Sequence, residues 1–445
     1  MTLLASSPAP SPSDEADRVV AAVLDDLRHG SDLGVVVDSP PGAGKSTLVV
    51  RAALALAEDS SQVMVVAQTN EQVDDLVHRL AVAAPALLIG RLSAGDYVPS
   101  RRVAQHSSVL VRSSIADLKS VAIVVATAAK WTFVTEGSWP WAIVDEAYQM
   151  RSDMLLRIAN RFERALFVGD PGQLDPFSTI ETERWNGLTW DPMQSAVAAL
   201  LRHNPGLRQH RLPVSWRLPA SAAPVVSEAF YPFAPFVSGA AHDERRLSFR
   251  TAAIGGGAVD KVLATAAETG WALYELPARH ALRTDGEAVE ACASVALRLL
   301  ERGALARSPD RSPSGEPVAA ERIAIGTAHR DQAAAVRAAL ARRGGAPGIT
   351  VDTANRLQGR EYDVTIVLHP LSGRLDATAF HLESGRLCVL TSRHRHACIV
   401  VARAGIQELL DAHPSTEPVH LNVPNKFPDG WAANQSMLAH LASNR

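Results

Sequence analysis

Ser39-Pro40-Pro41-Gly42-Ala43-Gly44-Lys45-Ser46-Thr47 follows directly on the apolar run Gly34-Val35-Val36-Val37, and the fold turns on this passage. An apolar run that breaks into a Gly/Pro turn and then a helix start predicts a buried strand, a tight loop and a helix. The N–H groups of such a turn converge on one point, where the helix dipole favours negative charge, so the loop is built to cradle phosphate. Lys45 is placed to reach the β- and γ-phosphates of a nucleotide and Ser46 to hold Mg²⁺. Pro41, Gly42, Ala43, Gly44 and Thr47 complete the lining. The strict pattern begins with Gly where this chain has Ser39, a change that removes neither the lysine nor the hydroxyl.

The 445 residues are enough for two or three domains, each with its own core. A hydrophobic content of 47% with 20% charged residues fits a soluble globular chain rather than a disordered one. A formal charge of -3 means that any binding of nucleic acid must come from a local groove, not from the overall balance. Only five of the 44 basic residues are lysine, a skew that fits genome composition as well as function. Cys292, Cys388 and Cys398 show no CxxC spacing, which argues against a zinc or iron–sulfur module and suits a reducing cytosol. Residues 1–13 are rich in Ser, Pro and Ala and read as a disordered lead, not a signal peptide. No apolar run approaches the roughly 18 residues of a membrane span.

Short apolar runs alternate with amphipathic stretches, which predicts an α/β chain with parallel sheets. Strands are expected at Gly34–Val37, Val63–Ala67, Ala122–Ala126, Ala142–Val144 and Ala165–Val168. A second set is expected at Ile323–Gly326, Val364–Leu368, Val389–Leu390 and Cys398–Val401. The polar passage His203 to Pro213 lies between the sets and reads as a hinge, so one domain spans 14–205 and another 206–410, followed by a tail over 411–445. Ile254–Gly257 and Ser308–Pro317 read as flexible segments.

After the strand Ala142-Ile143-Val144 comes Asp145-Glu146-Ala147. An acidic pair at a strand's C-terminal end, downstream of a phosphate loop, has a specific use. Asp145 can hold a hydrated Mg²⁺ while Glu146 takes a proton from an attacking water. Gly169-Asp170-Pro171-Gly172-Gln173-Leu174-Asp175-Pro176 again follows an apolar run. With the acidic pair before it, this passage resembles motif III of superfamily 1 helicases, where the glutamine, here Gln173, senses the γ-phosphate.

Further motifs of that superfamily follow in order. Ala67-Gln68-Thr69-Asn70-Glu71-Gln72-Val73-Asp74-Asp75-Leu76 resembles motif Ia of the 1B branch, which includes the nonsense-mediated-decay helicase and RecD. Ala126-Thr127-Ala128 is similar to motif Ic, and Leu212-Pro213-Val214-Ser215-Trp216-Arg217-Leu218-Pro219 to the segment that donates a first arginine finger. Residues 323–332 resemble motif IV, with Ala328-His329 where the family usually has Pro-Tyr. Val351–Glu361 is similar to motif V, and Arg386–Arg395 to motif VI with Arg393 at the finger position.

The resemblance implies two tandem RecA-like domains with a nucleotide between them. One supplies Lys45, Ser46, Asp145, Glu146 and Gln173; the other supplies Arg217 and Arg393, with Gln358, Gly359 and Glu361 also at the nucleotide. It implies ATP and Mg²⁺ as cofactors and single-stranded DNA or RNA as partner, held by Thr69, Asn70, Thr127 and Thr353. Contacts of that kind position a backbone without reading sequence. Movement would be 5′ to 3′ in the 1B branch, by a cytoplasmic monomer that a protein partner could recruit.

The chain departs from the family in two places. It has no Gln between Met1 and Lys45, where relatives carry one that reads adenine. The passage Leu80 to Lys119 holds only about forty residues, and Lys130 to Pro140 barely a loop, where larger relatives carry inserted domains; the expectation is a minimal motor with at most a stub. The alternative is a nucleotide-gated binding module that switches or remodels a partner without unwinding duplex. A small-molecule kinase is disfavoured, since kinases with this loop lack motifs V and VI.

Overall fold

The computed structural model describes residues 10–59, 62–174, 194–253, 257–281, 284–413 and 429–444. The chain divides into two compact units. The first holds Met1–Ser39, Ala43–Pro171 and Asp175–Pro213; the second holds Val214–Arg445 together with two short pieces, Pro40–Gly42 and Gly172–Leu174. The break at Pro213 lies eight residues beyond the expected one at 205.

The first unit is built on eight parallel strands: β1 (Gly34–Asp38), β2 (Val63–Ala67), β3 (Ile89–Leu92), β4 (Val109–Arg112), β5 (Ile123–Thr127), β6 (Trp139–Asp145), β7 (Phe162–Gly169) and β8 (Arg208–Arg211). Their order across the sheet is β4-β3-β5-β2-β6-β7-β1-β8. The central strands β1 and β2 are buried at every position, as continuous Val-rich runs covered on both faces should be. Helices α1 (Pro12–His29), α2 (Lys45–Glu58) and α3 (Asn70–Ala83) supply part of that cover. Val23, Leu27, Leu48, Val49, Leu76 and Leu80 join Val35, Val37, Val63 and Val65 in one core.

Helix α1 starts at Pro12 with a capping box between Ser11 and Asp14, so order begins inside the expected lead, whose residues 1–9 lie outside the described ones. The forty residues expected to form a stub instead contribute β3 and β4, two integral strands at one edge of the sheet. The expected hinge contains β8, which pairs with β1 from Val35↔Arg208 to Asp38↔Arg211. Arg208-Gln209-His210-Arg211 looks unlike a strand because it lies at the other edge, where a polar sequence costs nothing.

The second unit has a parallel five-stranded sheet in the order Trp271–Leu276, His394–Arg403, Tyr362–Leu368, Ile323–Thr327, Thr350–Thr353. Alternate residues of His394–Arg403 feed two cores on opposite faces, Ile399 and Val401 one of them, Cys398 and Val400 the other. Burial pushes the Cys292 and Cys398 thiols up to about 12, which makes them inert packing groups. Val389 and Leu390, expected in a strand, lie in the helix Ser384–Thr391, which is enclosed so completely that its apolar run carries no helical period. Ser308–Pro317 is not a loose segment: Ala304–Ser308 and Ser312–Pro317 form an antiparallel hairpin that also pairs with Arg246–Phe249. Of the other segment read as flexible, residues 254–256 lie outside the described ones. Within the expected C-terminal tail, Gly430–Ala442 is a helix that puts Ala433, Met437 and Leu441 into the core.

Both parallel sheets and the two-unit organisation make this a tandem α/β protein of the P-loop type. Among the described residues no helix is long and apolar enough to cross a membrane.

Candidate functional site

Parallel sheets collect ligands at the C-terminal ends of their strands, and the residues singled out in the first unit lie there. Strand β1 ends at Asp38, and residues 39–44 turn into α2, whose first residue is Lys45. Gly42 and Gly44 have φ of +73° and +89°, values that an L side chain rarely adopts. Helix α2 has no side-chain cap and no acidic residue in its first turn. Its leading N–H groups, those of Lys45, Ser46 and Thr47 among them, are therefore left for an anion. The Lys45 ammonium stands 3.5 Å from Glu146 Oε1 and 3.7 Å from Asp170 Oδ2. Ser39 is fully buried; its N–H donates to the Gly169 carbonyl at 2.8 Å, and its hydroxyl has no partner among the described residues.

Strand β6 delivers the acidic pair. Asp145 is its last residue, and its Oδ1 accepts from the Glu146 N–H at 3.0 Å. Glu146 then takes a left-handed conformation, φ 50° and ψ 45°, one of only two described non-glycine residues with positive φ. Such a residue holds roughly 1–3 kcal/mol of strain, and here the strain turns the carboxylate toward Lys45. Gln149 Nε2 donates to its other oxygen at 3.0 Å. Burial first, then the neighbouring Glu146, raise the Asp145 carboxyl to about 7 against the pull of Lys45. A buried acidic pair with one lysine for company is short of positive charge. Asp145 with the Ser46 hydroxyl is thus a donor set that fits a divalent cation whose remaining ligands are water and phosphate.

Two of the candidate strand contacts follow β2, the strand next to β6 in the sheet, and one closes β5, the strand beyond it. Thr69 caps α3 in a reciprocal box, its Oγ1 accepting from the Gln72 N–H at 3.2 Å while Gln72 Oε1 accepts from the Thr69 N–H at 3.0 Å. Thr127 Oγ1 likewise accepts from the Lys130 N–H at 3.1 Å. A hydroxyl that accepts in a cap keeps its proton to donate, so capping and phosphate contact are compatible at both positions. Gln68 Nε2 donates to the Asp145 carbonyl at 3.3 Å, which ties the end of β2 to the acidic pair.

In the second unit the candidates gather around one carboxylate. Glu361 Oε2 accepts from Arg217 Nε at 3.5 Å and its Oε1 from Arg395 Nη1 at 3.4 Å. Burial would raise the Glu361 carboxyl, but Arg217, Arg395 and Arg322 together outweigh it and hold the group below its ordinary range. Gln358 Nε2 donates to Gln173 Oε1 at 2.8 Å, and Gly359 turns the chain with φ +79°. The loop pieces that belong to this unit are tied down as well: Ser215 Oγ donates to the Pro41 carbonyl at 2.6 Å and the Trp216 N–H to the Gly42 carbonyl at 2.9 Å. Arg393 is 1% exposed; its Nε donates to the Val389 carbonyl at 3.1 Å, while one terminal nitrogen has no partner among the described residues. Thr353 is buried at the end of its strand, paired in register with Thr327.

Asp170, Gln68, Arg395 and Arg91 stand among these groups without having been singled out from the sequence. The first three sit inside the quoted motifs, so the signal was present; nothing marks Arg91. Asp175 and Pro176, the end of the motif III resemblance, lie outside the described residues.

A family described as an AAA domain matches residues 20–182, and a second, also described as an AAA domain, matches residues 283–405. The chain is therefore a tandem AAA-type, nucleotide-binding P-loop protein. Through both matched stretches the chain carries the motif series that resembles the superfamily 1 helicases.

Among solved structures it is similar to an arterivirus nonstructural protein 10 helicase, at 16% identity and a TM-score of 0.44, covering 87% of this chain and 61% of that one. A PRRSV helicase matches at 14% identity and a TM-score of 0.43, over 88% of this chain and 56% of that one. A complex of the arterivirus helicase with DNA matches at 16% and 0.43, over 87% and 62%. The chain thus spans about three fifths of the length of these helicases. No curated protein matches it in sequence.

Proposed function

We propose that this chain is a nucleic-acid-stimulated, Mg²⁺-dependent ATPase that translocates along single-stranded DNA or RNA, 5′ to 3′, as a cytoplasmic monomer. One observation carries the reading. Lys45, Asp145, Glu146 and Asp170 converge at the ends of β1, β6 and β7; the next strand end, that of β2, leads into Thr69 and Asn70, and the one after it, that of β5, carries Thr127. Nucleotide chemistry and strand grip share one sheet edge.

In this reading residues 41–47 cradle the phosphates and Lys45 exchanges its carboxylate partners for phosphate oxygens. Ser46 and Asp145 hold Mg²⁺, which neutralises phosphate charge when bound. Glu146, already turned toward Lys45, takes the proton of the attacking water. Gln173 and Gln358, hydrogen-bonded to each other, report the γ-phosphate, and Arg217 and Arg393 stabilise the transferred group. An arginine in that role is worth about 10³–10⁵ in rate. Glu361 holds Arg217 and Arg395 in place.

The test is steady-state ATP hydrolysis with and without single-stranded DNA and RNA at two salt concentrations. Strong stimulation by one polymer, fading with salt, is expected and chooses the substrate. Hydrolysis indifferent to both polymers would refute the motor and favour a nucleotide-gated binding module. Hydrolysis of GTP equal to that of ATP would show that the missing upstream Gln leaves the base unread.

A further inference from the structure

Arg91 lies on β3, a strand that reads as unremarkable, yet its side chain is only 1% exposed. It has been taken out of water with full compensation. Its Nε and Nη2 reach Asp74 Oδ1 at 3.2 and 3.1 Å, and its Nη1 donates to the Leu92 carbonyl at 3.3 Å. The guanidinium carbon sits 3.6 Å from the centre of the Tyr97 ring, whose hydroxyl clasps both oxygens of Asp74 at 2.7 and 2.8 Å. The same Nη2 reaches past this cluster to Asn70 Oδ1, at 2.9 Å.

That last bond decides a chemical question. An Asn side chain offers an acceptor on one side and a donor on the other, and the two are ordinarily interchangeable by a flip. A guanidinium has only donors, so it accepts one orientation alone: Oδ1 inward, on Arg91, and the NH₂ group turned away from it. Asn70 itself is exposed, at the end of β2 and the first position of α3. The result is a pre-oriented neutral donor at the sheet edge where an anionic backbone would pass. Asp74, one helical turn below Asn70 on α3, anchors the same guanidinium, so Asn70, Asp74, Arg91 and Tyr97 form one connected cluster.

We infer that Arg91 is a positioning residue for strand binding, which locks the Asn70 amide so that its NH₂ donates to the sugar-phosphate backbone of a single strand. The inference rests on the reading of this edge as a nucleic-acid site and adds what sets the contact's geometry. A donor fixed before binding loses no rotamer freedom on binding. Being neutral, it adds affinity without adding to the counter-ions released.

The experiment is a double-mutant cycle on the full chain without nucleotide, read by fluorescence anisotropy of labelled single-stranded DNA and RNA oligonucleotides over a salt series. Asn70→Ala is expected to weaken binding about tenfold, the scale of one hydrogen bond to a charged group, with the salt slope unchanged. Arg91→Lys keeps a charge beside Asp74 but cannot hold both partners, and is expected to weaken binding about three- to tenfold in the wild-type background, on the same scale. In the Asn70→Ala background it is expected to have no further effect. Tyr97→Phe, which removes only the hydroxyl clasp, is expected to follow the same rule with a smaller loss and serves if Arg91→Lys does not fold. Equal losses from Arg91→Lys or Tyr97→Phe in both backgrounds would show a structural role and overturn the inference alone. A wild-type chain that binds neither oligonucleotide would overturn the strand reading with it.

Discussion

Replacing Arg393 by methionine separates catalysis from stability, because the two effects are expected to have opposite signs. The guanidinium is 1% exposed, is fixed through one bond to the Val389 carbonyl, and has no carboxylate within 4.0 Å among the described residues. A buried cation held this way is a burden on the ground state, since its desolvation is not matched by an ion pair. Removing such a charge in favour of an apolar side chain of similar volume is often neutral or stabilising by about 1–4 kcal/mol. One carbonyl bond is lost, worth roughly 1.5–3 kcal/mol as a bond to a charged group, so the net change in stability is expected to lie near zero. Against that, an arginine that stabilises the transferred phosphoryl is worth about 10³–10⁵ in rate, or about 4–7 kcal/mol of barrier. Arg393→Met is therefore expected to unfold at the wild-type temperature within a few degrees while nucleic-acid-stimulated ATP turnover falls at least about a hundredfold. Thermal denaturation and phosphate-release kinetics on one preparation measure both. Wild-type turnover would remove Arg393 from the transition state. A large drop in unfolding temperature would show that the buried guanidinium is a structural member with a partner after all.

Glu146→Gln is expected to keep nucleotide affinity and the hydrogen bond from Gln149 while abolishing turnover; equilibrium binding of a fluorescent nucleotide beside phosphate release checks this, and undiminished hydrolysis would exclude Glu146 as the base. Ser39→Ala is expected to raise stability by about 1 kcal/mol, because the buried hydroxyl has no partner among the described residues. A loss in urea denaturation would show that the hydroxyl is bonded. Acid should destabilise the second unit well before its carboxylates titrate. Burial lowers His369 and His381 to about 4 and His394 to about 3, with Arg374, His329 and Arg386 adding to it for His381 and His396 and Arg217 for His394. Their folded values lie below the unfolded one, so their contribution is complete above about pH 6.5 and is lost as pH falls toward 4. His369→Asn is expected to flatten that fall by up to about 1.4 kcal/mol per pH unit, seen as a shallower drop of unfolding temperature between pH 6.5 and 4.5. An unchanged slope would show that His369 is already protonated in the native state.

The strongest signals in the sequence were those that a backbone imposes locally. A phosphate loop needs glycine at its left-handed positions, a lysine and a hydroxyl at the helix start, and an apolar strand before it, so nine consecutive residues specify it. The central strands were equally plain, because a strand buried on both faces has to be apolar throughout. The edge strand β8 was not: it is Arg-Gln-His-Arg, since an edge makes no such demand, and the interior strand β3 was hidden by Gly90 and by Arg91, whose charge is met by Asp74. The helix Ser384–Thr391 was mistaken in part for a strand for the converse reason, enclosure on every side having erased its period.

Taken alone, then, the sequence determined the α/β class, the phosphate loop and the ordered motifs that run through both units, all of them features written within a few residues of one another. Tertiary structure decided what depends on residues far apart in the chain. It placed Lys45 between Glu146 and Asp170, left Arg393 buried with a terminal nitrogen that has no partner among the described residues, and brought Arg91 from β3, two places from β2 in the sheet, onto Asn70. The physical reason is that charge and donor geometry belong to the packed sheet edge, where strands distant in sequence end side by side, and no local pattern encodes which ends will be neighbours.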